Sequence, residues 1–146
     1  MDTITTRMAA CPTTKTIIYT ENAVPPLPVF SQATVANGLV YCSGSIGCDH
    51  QLNLVPGGVA PQTTRALENL SAVLTAAGSG LEHILKANVY LANMPRDFAT
   101  MNEAYIKFFH GPPPARTCVG VAALPMGADV EIECTAVLPA SSSNNR

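Results

Sequence analysis

Residues 113–138 read P-P-A-R-T-C-V-G-V-A-A-L-P-M-G-A-D-V-E-I-E-C-T-A-V-L, and two patterns of period two run through them. Ala115, Thr117, Val119 and Val121 alternate with Arg116, Cys118 and Gly120. After a turn-rich break, Val130, Ile132, Cys134 and Ala136 alternate with Glu131, Glu133 and Thr135. Successive side chains of a strand point to opposite faces, so each segment has one apolar face and one carrying functional groups. The two segments, Ala115 to Val121 and Val130 to Leu138, predict a hairpin. Toward the N-terminus, Lys15 to Thr20, Gly38 to Ile46 and Ile84 to Leu91 also read as strands. From Pro61 onward Ala66, Leu67, Leu70, Val73 and Leu74 recur at helical spacing, and Gly78 is placed to end that helix. A second amphipathic helix is expected with Asp97 as its N-cap, carrying Phe98, Met101, Ala104, Tyr105, Phe108 and Phe109, and stopped by Gly111 and the three prolines after it. Strands, helix, strand, helix and hairpin in this order predict an α+β domain, a mixed sheet with both helices on one face.

A chain of 146 residues supports one core. That domain is expected over residues 15–139, between a flexible leader (1–14) and a disordered polar tail (140–146). Charged residues make up 12% of the chain, about half of what a soluble domain usually carries. So uncharged a surface predicts a symmetric homo-oligomer in which copies cover apolar area. The net charge of −2 comes without any basic run, which argues against nucleic acid as a partner. No apolar stretch approaches the roughly 20 residues needed to cross a bilayer, so a cytoplasmic protein is expected and a membrane partner is not. A hydroxyl-rich start containing Arg7 leaves a mitochondrial address as the alternative. Cys11, Cys42, Cys48, Cys118 and Cys134 are odd in number and lack a CxxC pair, which predicts reduced thiols and no metal site. Cys42 and Cys134, set among apolar residues, are read as small core hydrophobes.

Arg116 is the most informative residue, because a guanidinium is costly within a strand of small apolar side chains. Its fork of donors matches a carboxylate bidentately. The spacing leaves two accounts open: an anion clamp, or an ion pair with Glu131 or Glu133 across the hairpin. Glu131 and Glu133 share a face, and either carboxylate could orient or deprotonate a water. Cys118 shares the Arg116 face, but the sequence nominates no base for it among His50, His83 and His110, so it is read as a pocket wall. Ser43-Gly44 lies in an apolar strand, where glycine permits close approach by a ligand or by another strand. Asn102 falls off the main stripe of the second helix and could donate an amide hydrogen bond or face solvent.

P-P-A-R-T-C-V (113–119), V-E-I-E-C-T-A-V (130–137), C-S-G-S-I (42–46) and D-F-A-T-M-N-E-A-Y-I-K-F-F (97–109) together resemble the RidA/YjgF family, also called L-PSP. The likeness runs from Thr16 to Leu138. It implies a chorismate-mutase-like subunit, a homotrimer around a central barrel, and three ligand sites in clefts between subunits. The implied activity is hydrolysis of 2-imino acids to 2-keto acids and ammonia, without metal or organic cofactor. By the same resemblance Arg116 would clamp the substrate carboxylate and Glu131 would position the water, while Phe30, Ser43, Gly44, Asn102 and Cys118 would line the pocket. The chain departs from the family pattern at Phe30, where a tyrosine is common, at Ser45, where a glutamine is common, and in the short proline-rich segment before Arg116. Phe30 raises the alternative of a non-catalytic binder of small carboxylates, or an enzyme of specialised metabolism, on the same fold. A ribonuclease or translation inhibitor is the weaker alternative.

Overall fold

A computed structural model describes residues 14–140. The expected leader and tail therefore fall, apart from Thr14 and Ala140, outside the described residues, as does Cys11. Six strands and two α-helices follow one another: β1 (Thr16–Ile18), β2 (Ala33–Ala36), β3 (Leu39–Ile46), α1 (Val59–Ala76), β4 (Ile84–Leu91), α2 (Met94–Tyr105), β5 (Ala115–Gly120) and β6 (Val130–Val137). They form one sheet in the order β1-β2-β3-β6-β4-β5. Every pair is antiparallel except β4 with β5. This is the mixed α+β sheet expected from the element order, and no helix among the described residues is long and apolar enough to cross a membrane.

The expected hairpin is not there. β5 pairs in parallel with β4, and β6 lies between β3 and β4. Parallel neighbours need a crossover connection, and α2, standing between β4 and β5 in the chain, supplies it. Residues 121–129 then carry the chain past the end of β4: Val121 donates to the Leu91 carbonyl at 2.9 Å and Ala92 to that of Asp129 at 3.0 Å. β6 thus becomes a central strand. Its Val130, Ile132, Cys134 and Ala136 are buried against the helices, and burying both of its edges satisfies its backbone on two sides.

Three smaller corrections have local causes. The strand expected from Gly38 to Ile46 is the second arm of a β2–β3 hairpin whose turn, Asn37-Gly38, has φ of 51° and 76° at its two residues, the positive pair a two-residue turn demands. β1 is shorter than expected, because its register with β2 covers only Thr16 to Ile18. The N-cap of α2 is Asn93, whose side chain accepts from the Arg96 N–H at 3.2 Å. Asp97 lies inside the first turn, buried, and both its oxygens accept from Arg96 at 2.7 Å. Phe98 is exposed, and the buried stripe of α2 is Met101, Ala104 and Tyr105.

The first helix behaves as read: Ala66, Leu67, Leu70, Val73 and Leu74 are buried, and Gly78 ends it at φ 86° while Ser79 donates back to the Leu74 carbonyl at 2.8 Å. Cys42 and Cys134 face each other across β3 and β6, buried and unbridged.

Candidate functional site

Register decides where each candidate side chain goes. Arg116 is paired with Ala87, and Ala87 with Cys134, both buried under the helices. Arg116 and Cys118 therefore turn toward α2, while Ala115, Thr117 and Val119 are exposed. On β5 the side with functional groups is thus the one packed inward. Arg116 donates through Nη2 to Asn102 Oδ1 at 2.7 Å, its guanidinium carbon lies 4.7 Å from the centre of the Tyr105 ring, and Nη1 is 3.8 Å from Met101 Sδ. Asn102 and Tyr105 are three apart on α2, so one helix face presents both. An amide and an aromatic face hold the guanidinium, and no carboxylate among the described residues lies within ion-pair distance of it.

Glu131 and Glu133 are out of reach because they point the other way. Glu131 is paired with Tyr90, and Glu133 with Asn88, on the sheet face opposite the helices. Glu133 accepts from Asn88 Nδ2 at 3.1 Å and, in a short hydrogen bond, from the Tyr90 hydroxyl, so its carboxylate is tied into the strand surface. Glu131 has no such partner. It lies against Gly44, where a β-carbon would come within 2.8 Å of its carboxyl carbon. A bulge between Cys42 and Ser45 lifts Ser43-Gly44 out of the ladder. The close approach that Gly44 permits is thus made by a carboxylate. Burial, and secondarily the charge of Glu133, hold the Glu131 carboxyl above the usual carboxylate range.

Phe30, Ser43, Gly44 and Glu131 line one cavity of about 380 Å³, bounded by the β1–β2 connection, the β3 bulge, α1 and residues 125–126. Arg116, Asn102 and Cys118 do not line it. Within one subunit the seven candidate residues form two half-sites, one around this cavity and one where Arg116 of β5 meets α2.

A family description, Endoribonuclease L-PSP, matches residues 20–138. The chain belongs to the L-PSP family. Among its relatives is the RutC family protein UK114 of Drosophila melanogaster, 48% identical over 122 residues, covering 83% of this chain and 88% of that one. The 2-iminobutanoate/2-iminopropanoate deaminase of Rattus norvegicus is 43% identical over 122 residues, covering 83% and 88% of the two chains. The crystal structure of E. coli TdcF with bound serine superposes with a TM-score of 0.78 at 36% identity, covering 84% of this chain and 98% of that one.

Within this L-PSP subunit the thiol of Cys118 is a poor nucleophile: burial pushes it up, and the Arg116 charge only partly offsets that. Cys118 lies half-buried on the same face of β5 as Arg116. Tyr105 belongs to the Arg116 half-site and was missed as anything but core, although its spacing from Asn102 signalled a shared face. It is 4% exposed, its phenol is pushed up to about 12 chiefly by burial, and its hydroxyl is buried without a partner. Among the described residues no group of three or more His, Cys, Asp or Glu side chains gathers at a spacing that could hold a metal ion.

Proposed function

We propose that this protein is a cytoplasmic, homotrimeric hydrolase that converts 2-imino acids to 2-keto acids and ammonia, each site built between two subunits. The observation that carries the reading is the division of the candidate residues. One half-site offers a guanidinium fork with no carboxylate partner and the other an unpartnered carboxylate beside a cavity. On the strands Arg116 and Glu131 face opposite sides of the same sheet, which supports a cleft that a second copy completes.

In the assembled cleft Arg116 of one subunit holds the substrate carboxylate, with Asn102 and Tyr105 fixing the plane of its fork. Glu131 of the neighbouring subunit accepts a proton from water as the oxygen bonds to the imine carbon. It returns the proton to nitrogen, the tetrahedral carbinolamine collapses, and ammonia leaves with formation of the keto group. No atom changes oxidation state overall, so the chemistry asks the protein only to orient a carboxylate and place a water. A carboxyl raised by burial is a better proton acceptor than a free glutamate, which suits a group that takes a proton from water. Two relatives support the substrate class by name: the rat protein is named for 2-imino acids, and E. coli TdcF holds serine, itself a small carboxylate.

Mixing two inactive variants tests activity and assembly together. Arg116→Ala and Glu131→Gln homotrimers are expected to release no keto acid from freshly generated 2-iminopropanoate above the uncatalysed rate. Co-refolded in equal amounts, they should recover about one quarter of wild-type activity, the fraction of clefts that pair an intact Arg116 with an intact Glu131 under random assembly. Wild-type protein that binds pyruvate but does not speed imine hydrolysis would instead support a carboxylate-binding member, the reading that Phe30 favours by removing a phenol hydroxyl from the cavity. The net charge of −2, without a basic run, favours neither ribonuclease nor RNA-binding activity.

A further inference from the structure

The cavity beside Glu131 is larger and more uniformly hydrocarbon than a substrate with a methyl side chain requires. We infer that it selects 2-imino acids carrying a bulky apolar side chain, branched or aromatic, over 2-iminopropanoate; this rests on the functional reading above and names its substrate class. Ser43, Gly44 and Glu131 line the same cavity of about 380 Å³. A substrate whose imine carbon meets water at Glu131 therefore has its side chain at the mouth of this space. A volume in the range of small-molecule pockets, roughly 300 to 1,000 Å³, would be left almost empty by a methyl group.

The walls decide what can fill it. Leu27, Ile46, Leu52, Leu70, Val73 and Met126 supply hydrocarbon, and Phe30 adds a ring without a hydroxyl. Leu70 and Val73 are buried on α1, a rigid back wall, while Leu27, Leu52 and Met126 are large apolar side chains left exposed on loops, surface that an apolar ligand would cover.

Three of the polar side chains that line the cavity are already engaged. Gln32 Nε2 donates to the Thr20 and Val24 carbonyls at 3.0 and 2.9 Å. Asn69 Nδ2 donates to those of Cys48 and Ile46 at 3.0 and 3.4 Å, and Ser43 Oγ to that of Ser31 at 2.6 Å. With these donors occupied, an acidic side chain would meet the Glu131 carboxylate with no free N–H from Gln32 or Asn69 to offset the repulsion. A hydrocarbon loses nothing there and displaces water from apolar walls.

The test measures kcat/KM on imino acids generated in place by an amino-acid oxidase from alanine, leucine, phenylalanine and glutamate. The leucine- and phenylalanine-derived substrates are expected to exceed the alanine-derived one by about tenfold or more, with the glutamate-derived one slowest. Leu27→Trp, whose indole occupies the cavity, should lower the leucine-to-alanine ratio about tenfold. Titration with 4-methyl-2-oxopentanoate and pyruvate should show the larger keto acid binding more tightly. A ratio that stays flat or falls with side-chain size, or that Leu27→Trp does not move, overturns the inference and shows that a neighbouring subunit or solvent fills the cavity. Absence of hydrolysis with all four substrates overturns the functional reading instead. The keto-acid titration then still decides the size preference: tighter binding of the larger acid supports it, and equal or weaker binding overturns it.

Discussion

Arg116 shows how one side chain can be costly to the fold and still be held in place. Its guanidinium sits half-buried between an amide oxygen, an aromatic ring and a thioether, none of which neutralises it. Such an arrangement orients a fork toward an anion more than it stabilises the fold. Arg116→Lys keeps the charge and loses the planar pair of donors. It should cost about 1.5 to 3 kcal/mol of transition-state stabilisation, or ten- to a hundredfold in kcat/KM. Thermal melts should barely change, since no ion pair is broken. Glu131 makes the complementary prediction. Its carboxyl titrates higher in the folded protein than in the unfolded chain, so its protonated form favours folding. That contribution is complete below the ordinary glutamate range and is lost as pH rises through the raised value. At neutral pH the ionised side chain therefore costs stability, and Glu131→Gln should raise Tm there, the gain shrinking as pH falls. Melting curves of the two proteins at pH 7 and pH 4 check the sign, and an equal Tm difference at both would refute the assignment.

Elements place these side chains. The β4-α2-β5 crossover brings α2 within reach of Arg116, and the helix thereby supplies Asn102 and Tyr105 to it. The start of α2 is held by the Asn93 cap and by Arg96, which bridges Asp97 and Asp129 at 2.7 and 3.0 Å. Asn93→Ala should cost about 1 kcal/mol of stability, read by urea unfolding, with little effect on the wall that Arg116 leans on. The β3 bulge performs the corresponding task for Glu131. A methyl at Gly44 would displace the carboxylate, so Gly44→Ala should lower kcat on the order of a hundredfold, while binding of pyruvate, anchored at Arg116, persists. Loss of both together would place Gly44 in the structural framework alone.

At the scale of the whole molecule, the sheet has one face under two helices and one face open. Tyr41 and Val119 stand exposed among the large apolar side chains, and the chain is only 12% charged. Apolar surface of this kind is covered by association in most soluble proteins. Light scattering at micromolar concentration should give three chains per particle. A monomer would leave the half-sites apart and remove the basis for an intersubunit cleft.

Periodicity alone located α1, β4 and the period-two strands β5 and β6, because burial of one face of an element writes itself into neighbouring residues. The motifs around Arg116 and Glu131 were legible as a family resemblance, each lying within a few residues of chain. Which strands pair is a different kind of fact. The nine residues between β5 and β6 permit a hairpin, and only the competition among all edges of the sheet makes β6 central and sends β5 to the far side of β4. Tyr105 read as core because a stripe on a helix says what is buried, not what it is buried against. The pairing of Gly44 with the Glu131 carboxylate, and the separation of that carboxylate from Arg116, follow from register across strands far apart in sequence. Local order is set by forces acting over a turn or a strand, whereas a site is made by side chains that meet only when the whole sheet has closed.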